Sequence, residues 1–121
     1  MPNVRVLIVD DEEFNRQTLR YCLEPEGFVI DEAADGAEAW AMLSGGEAQY
    51  DAILLDRKMP EMDGMEVLAK IKGDPGLKAI PVIMQTAMDL EAEIVDGIEA
   101  GVYYYLTKPY DVDVLVSVVR G

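Results

Sequence analysis

At 121 residues, half of them apolar, the chain has room for one domain with a real core and little room for a second. A formal net charge of −14, with no histidine, repels nucleic acid and anionic membrane and suits a cation or a basic protein surface. Cys22 is the only cysteine, which excludes an internal disulfide or a thiol metal cluster; it reads as a small buried hydrophobe on a helix.

Met1-Pro2-Asn3 leads straight into a strand-like segment, with no basic start and no signal-peptide core. No apolar run approaches the roughly 18 residues that suggest a membrane helix, so the expected location is a reducing cytoplasm. Residues 5–9 are short, β-branched and almost wholly apolar, which predicts a parallel strand covered on both faces. A helix follows with Phe14, Leu19, Cys22 and Leu23 on one face, stopping near Pro25-Glu26-Gly27. Residues 28–33 are more polar and belong at a sheet edge. A second helix carries Ala37, Trp40, Ala41 and Leu43 inward and ends at Gly45-Gly46. The third strand is 52–55, followed by a helix marked by Met65, Leu68, Ala69 and Ile71 that ends at Gly73-Asp74-Pro75-Gly76. The fourth strand is 81–84, and its helix is marked by Ile94, Val95 and Ile98 and ended at Gly101. The fifth strand is 102–106, and the last helix carries Val112, Leu115, Val116 and Val119. Asp63, Asp89 and Asp111 stand where N-caps are wanted. Strict alternation makes this an α/β chain of type (βα)5, doubly wound, with a parallel sheet, helices on both faces and right-handed crossovers. The span 1–121 reads as a single domain.

In open α/β sheets, ligands bind beyond the carboxyl ends of the strands. Asp10 and Asp11 follow the first strand, Asp56 the third, Thr86 the fourth and Lys108 the fifth. Taken singly, each has a plainer explanation: a helix cap, a loop acid, a turn residue, a solvated lysine. Their coincidence at one end of the sheet points to a common site. Carboxylates gathered there cannot all stay ionised without a counter-charge. A hard divalent cation removes the conflict, and an all-oxygen set favours Mg2+, with Mn2+ as a substitute. Lys108 adds a fixed positive charge. Such a site suits phosphoryl transfer, with an aspartate as nucleophile and positive charge on the phosphoryl oxygens.

At this point the sequence resembles a response-regulator receiver domain along almost its whole length. The motifs are Val6-Leu7-Ile8-Val9-Asp10-Asp11-Glu12, the run from Leu54-Leu55-Asp56 to Asp63-Gly64, Gln85-Thr86-Ala87, and Tyr105-Leu106-Thr107-Lys108-Pro109. The resemblance implies a flavodoxin-like sheet of order 2-1-3-4-5. It implies Asp56 as phospho-acceptor, and Mg2+ on Asp11, Asp56 and the Lys58 backbone carbonyl, with Asp10 helping through water. Thr86 and Lys108 would contact the phosphoryl group, and the small Ala87 would sit beside it. Lys108-Pro109 would be a cis peptide, which proline permits, aiming the ammonium inward. Tyr105 would be the aromatic switch, turning inward as Thr86 moves toward the phosphate. The implied partners are a sensor histidine kinase or phosphotransfer protein, a downstream protein or output domain docking on the face of the fourth helix, fifth strand and fifth helix, and a phosphorylation-dependent homodimer. The chain would catalyse only its own phosphorylation and dephosphorylation.

Tyr103 and Tyr104 depart from the family pattern, which often has acidic residues just before the switch aromatic. In a strand their side chains point to opposite faces, so one suits the core and the other a partner interface. Lys58 and Met88 stand two residues after Asp56 and Thr86, where side chains flank the phosphoryl group; a bulky apolar Met88 would hinder an attacking water. Two other classes compete. A docking module working without phosphorylation has no need for all five polar residues. A phosphatase passing through an aspartyl-phosphate needs a general acid beside Asp56, and none is placed there.

Overall fold

The computed structural model describes residues 4–45, 50–56, 64–86, 104–107, 116 and 119. Its elements are β1 (Arg5–Val9), α1 (Glu13–Leu23), β2 (Val29–Ala33), α2 (Gly36–Ser44), β3 (Ala52–Asp56), α3 (Gly64–Lys72), β4 (Val82–Thr86) and β5 (Tyr104–Thr107). The strands form one parallel five-stranded sheet of order β2-β1-β3-β4-β5, as the sequence leads one to expect. The expected fourth helix lies outside the described residues. Of the fifth, Val116 and Val119 are described, and both are helical.

The near-continuous apolar runs of the central strands follow from burial on both faces. Successive side chains alternate, so each strand feeds two cores. Leu7, Val9, Ile53, Leu55, Val82 and Met84 point to the side of α2 and α3, where they meet Ala39, Leu43, Val67, Leu68 and Ile71. Val6, Ile8, Leu54 and Ile83 point to the other side, against Leu19 and Leu23 of α1 and against Val119. β2 is an edge strand, and it carries two acids, Asp31 and Glu32, among its apolar residues.

The inward helix stripes differ in part from those the sequence suggests. Phe14 is 76% exposed. It stands five residues before Leu19, which rotates it about 140° from the buried stripe at ~100° per residue, onto the outward face it shares with Tyr21. In α2 the buried positions are Gly36, Ala39 and Leu43, while Ala37 and Ala41 face out. In α3 Gly64, Val67, Leu68 and Ile71 are buried and Ala69 is exposed. Alanine satisfies either environment, so a helix rich in it marks its inner face weakly.

Helix ends use local chemistry. After α1 a short 3-10 turn, Glu24–Glu26, closes on Gly27, whose φ of 95° lies in the left-handed region that glycine adopts freely. Asp35, absent from the expected caps, receives the Glu38 N–H at 2.7 Å and starts α2. Asp63, Asp89 and Asp111 lie outside the described residues. Lys70 of α3 rests 5.4 Å from the Trp40 ring centroid of α2, tying the two helices together by a cation–π contact.

At the amino end of the sheet, the buried Tyr50 hydroxyl donates to Asp31 Oδ2 at 2.8 Å. Burial and the Asp31 carboxylate push the Tyr50 pKa up from about 10 to about 12. A raised folded-state value means the contact stabilises fully below pH 10 and is lost as pH climbs toward 12. Urea titrations are expected to show Tyr50→Phe about 1 kcal/mol less stable than the native chain at pH 9, a gap that closes by pH 12. A gap that stays constant over that window would show that the phenol is not linked to folding.

Candidate functional site: an acidic cluster at the carboxyl edge of the sheet

Strand register builds the site. Val9 of β1 lies beside Leu55 of β3 on one side and Ala33 of β2 on the other. The next residue along each central strand is therefore an acid, Asp10 beside Asp56. Asp56 in turn is level with Gln85 of β4, and the last rung of the sheet joins Thr86 to Thr107. One carboxylate oxygen from each of Asp10, Asp11 and Asp56 lies within 4.8 Å of the others. Asp10 is fully buried and Asp56 is 6% exposed, while Asp11 faces solvent. The cluster is thus lined below by two sheltered acids and open on the Asp11 side.

Asp10 is held from several directions. Its N–H donates to the Ala33 carbonyl at 3.1 Å, which extends the β1–β2 pairing past the last strand residue. Its Oδ1 accepts the Glu12 N–H at 2.9 Å, and its carbonyl oxygen accepts from Arg16 Nη1 at 2.7 Å. Arg16 also donates through Nε to Glu32 Oε1 at 3.1 Å, and Glu32 Oε2 accepts from Arg20 Nε at 2.7 Å. Burial pulls the Arg20 guanidinium down, but hydrogen bonds and charge from Glu32 and Glu24 outweigh it and leave its pKa above the ordinary value. Arg16, Arg20 and Glu32 are the residues that sequence reasoning misses. A second acid, Glu32, near the end of a mixed edge strand, following a helix with two arginines one turn apart, is the signal that could have found them.

The structure brings together Asp10, Asp11 and Asp56 and sets Thr86 at the end of β4, on the same edge of the sheet. Tyr104 and Tyr105 lie in β5, level with Ile83 and Met84. Lys58, Ala87, Met88, Tyr103, Lys108 and Pro109 lie outside the described residues. Chemically, the cluster is an all-oxygen donor set that concentrates negative charge where two members are sheltered from water. That set fits a hard divalent cation better than a soft one.

A family model described as the response regulator receiver domain matches residues 6–120. The chain belongs to that family. Receiver domains are signalling modules of two-component response regulators, and phosphorylation-dependent signalling is typical of them. Over 106 residues this receiver is 49% identical to the transcriptional regulatory protein ResD of Bacillus subtilis, a match covering 88% of the chain and 42% of ResD. The chain thus spans less than half of that relative's length. Its fold is similar to the chemotaxis protein CheY4 of Vibrio cholerae, with a TM-score of 0.90 at 29% identity and 98% of each chain covered. It is similar also to the phosphorylated cyanobacterial phytochrome response regulator RcpA, with a TM-score of 0.85 at 31% identity over 99% of this receiver and 91% of RcpA. Among the described residues, no helix is long and apolar enough to cross a membrane.

Proposed function

We propose that this receiver accepts a phosphoryl group on Asp56, from a sensor histidine kinase, a phosphotransfer protein or a small phospho-donor, in a reaction that depends on Mg2+. The observation that carries this reading is the gathering of Asp10, Asp11 and Asp56 within 4.8 Å at the carboxyl edge of the sheet. The Asp56 carboxylate oxygen attacks phosphorus. A P–O bond forms, giving an acyl phosphate, and the bond to the donor breaks, with its electron pair leaving on the donor atom. When bound, Mg2+ supplies positive charge to the phosphoryl oxygens. Asp10, Asp11, Asp56 and the Lys58 carbonyl would hold it. Thr86 and Lys108 are assigned to the phosphoryl group, with Ala87 and Met88 flanking it.

The added charge draws Thr86 and Lys108 toward it and biases the face that carries β5, with Tyr105 as the switch residue. Partners that prefer the shifted face, an output domain, a downstream protein or a second copy, then bind better. A cytoplasmic location follows from this role. The chain acts on itself only and turns over no other substrate.

Incubation with acetyl phosphate and Mg2+ tests the proposal. One acid-stable, base-labile phosphoryl group per chain is the expected product. A docking module would take up none, and a phosphatase would consume the donor without limit. Tyr103 and Tyr104 supply a further expectation: Tyr104→Asp weakens phosphorylation-dependent association at least severalfold in sedimentation while uptake on Asp56 is unchanged. Unaltered association would remove Tyr104 from the interface, and the same result with Tyr103→Asp would remove both tyrosines.

A further inference from the structure

The acidic cluster does not stand alone at its end of the sheet. We infer that Arg16 is a positioning residue for the metal site, acting through the main chain of Asp10. This rests on the reading of Asp10, Asp11 and Asp56 as Mg2+ ligands. The Arg16 side chain is only 15% exposed, so its contacts are made in a sheltered place where a guanidinium is held firmly. Its fork spans two elements. Nη1 donates to the Asp10 carbonyl at 2.7 Å, and Nε donates to Glu32 Oε1 on β2 at 3.1 Å. Glu32 is itself fixed from its other oxygen by Arg20. Glu32 also stands next to Ala33, whose carbonyl receives the Asp10 N–H. Both main-chain polar groups of Asp10 are therefore referred to the same end of β2, one directly and one through Arg16.

The consequence falls on the turn from β1 into α1. Asp10 and Asp11 must present their oxygens toward Asp56, and Glu12 binds the Asp10 carboxylate through its N–H. A rotation of the Asp10–Asp11 peptide would move both carboxylates at once. Arg16 grips the carbonyl of that peptide. Groups that orient metal ligands in this way are worth roughly 10- to 100-fold in metal affinity. Lysine keeps the charge but lacks the planar fork that reaches both acceptors.

Mg2+ titration calorimetry on the native chain, Arg16→Ala, Arg16→Lys and Glu32→Ala tests the inference, with far-UV circular dichroism in metal-free buffer to establish that each variant is folded. Arg16→Ala and Arg16→Lys are expected to raise the Mg2+ dissociation constant about tenfold. Glu32→Ala, which removes the anchor on β2 and leaves Arg16 in place, is expected to raise it severalfold, and it carries the test if the Arg16 variants fail to fold. A folded Arg16→Ala or Glu32→Ala chain that binds Mg2+ like the native chain overturns the role of Arg16 and leaves the metal reading standing. Native affinity in Arg16→Lys overturns the fork geometry in favour of charge alone. Failure of the native chain to bind Mg2+ overturns the metal reading, and this role with it.

Discussion

Asp56→Asn is expected to take up no phosphoryl group from acetyl phosphate in ample Mg2+, whereas the native chain takes up one per molecule. The physical reason is the nucleophile itself. An amide oxygen carries no full negative charge and cannot yield an acyl phosphate on attack. The substitution is nearly isosteric at a 6% exposed position at the end of β3, so the fold should persist. Intact-protein mass spectrometry after brief incubation reads the result. A variant still modified once, at the native rate, would mean that another residue is the acceptor, and mapping that residue would replace the present assignment. Replacing Asp11 by Asn under the same conditions separates loss of the nucleophile from loss of a metal ligand. Its uptake should be slowed, with the acceptor still present.

Asp10→Asn is expected to stabilise the metal-free protein while cancelling its response to Mg2+. Asp10 and Asp56 are both buried, with carboxylate oxygens within 4.8 Å. Two unit charges at that separation repel by roughly 3 kcal/mol at the effective dielectric suited to protein sites. Asparagine removes one charge and keeps the Oδ1 that accepts the Glu12 N–H. Both acids hold other partners that offset part of this repulsion, so urea denaturation without metal should show a gain of at most about 3 kcal/mol. At a free Mg2+ concentration one hundred times the dissociation constant, the native chain should gain about 2.7 kcal/mol and the variant much less. Equal stabilisation of both by Mg2+ would place the ion elsewhere. A variant less stable than the native chain in metal-free buffer would show that the carboxylate is already compensated by its surroundings.

The sheet was legible because its signals are redundant. Four apolar runs and one mixed segment, each a few residues long, were separated by helical periodicity and glycine-rich stops, and β1 and β3 begin on the residues the pattern indicates. The acidic cluster was legible for a related reason. Parallel strands deposit their following residues on one edge, so sequence position after a strand translates into spatial position. Helix faces were harder. Ala37, Ala41 and Ala69 carry almost no directional information, and Phe14 misled because an aromatic residue near a helix start was counted as core. The Arg16–Glu32 pair was hidden for another reason. It joins α1 to β2 by side chains alone, and no local periodicity marks two residues 16 apart as neighbours.

The mixed character of β2 bears on how the molecule behaves in company. An outermost strand leaves main-chain donors and acceptors available for annexation by a neighbouring chain, and a smooth apolar rim invites it. Here Asp31 and Glu32 interrupt that rim, engaged respectively by Tyr50 and by the arginines of α1. A strand approaching from outside would have to disturb those engagements and strip water from two carboxylates before making its first rung. The polar composition that marked 28–33 as peripheral therefore also keeps concentrated solutions from zipping sheet to sheet.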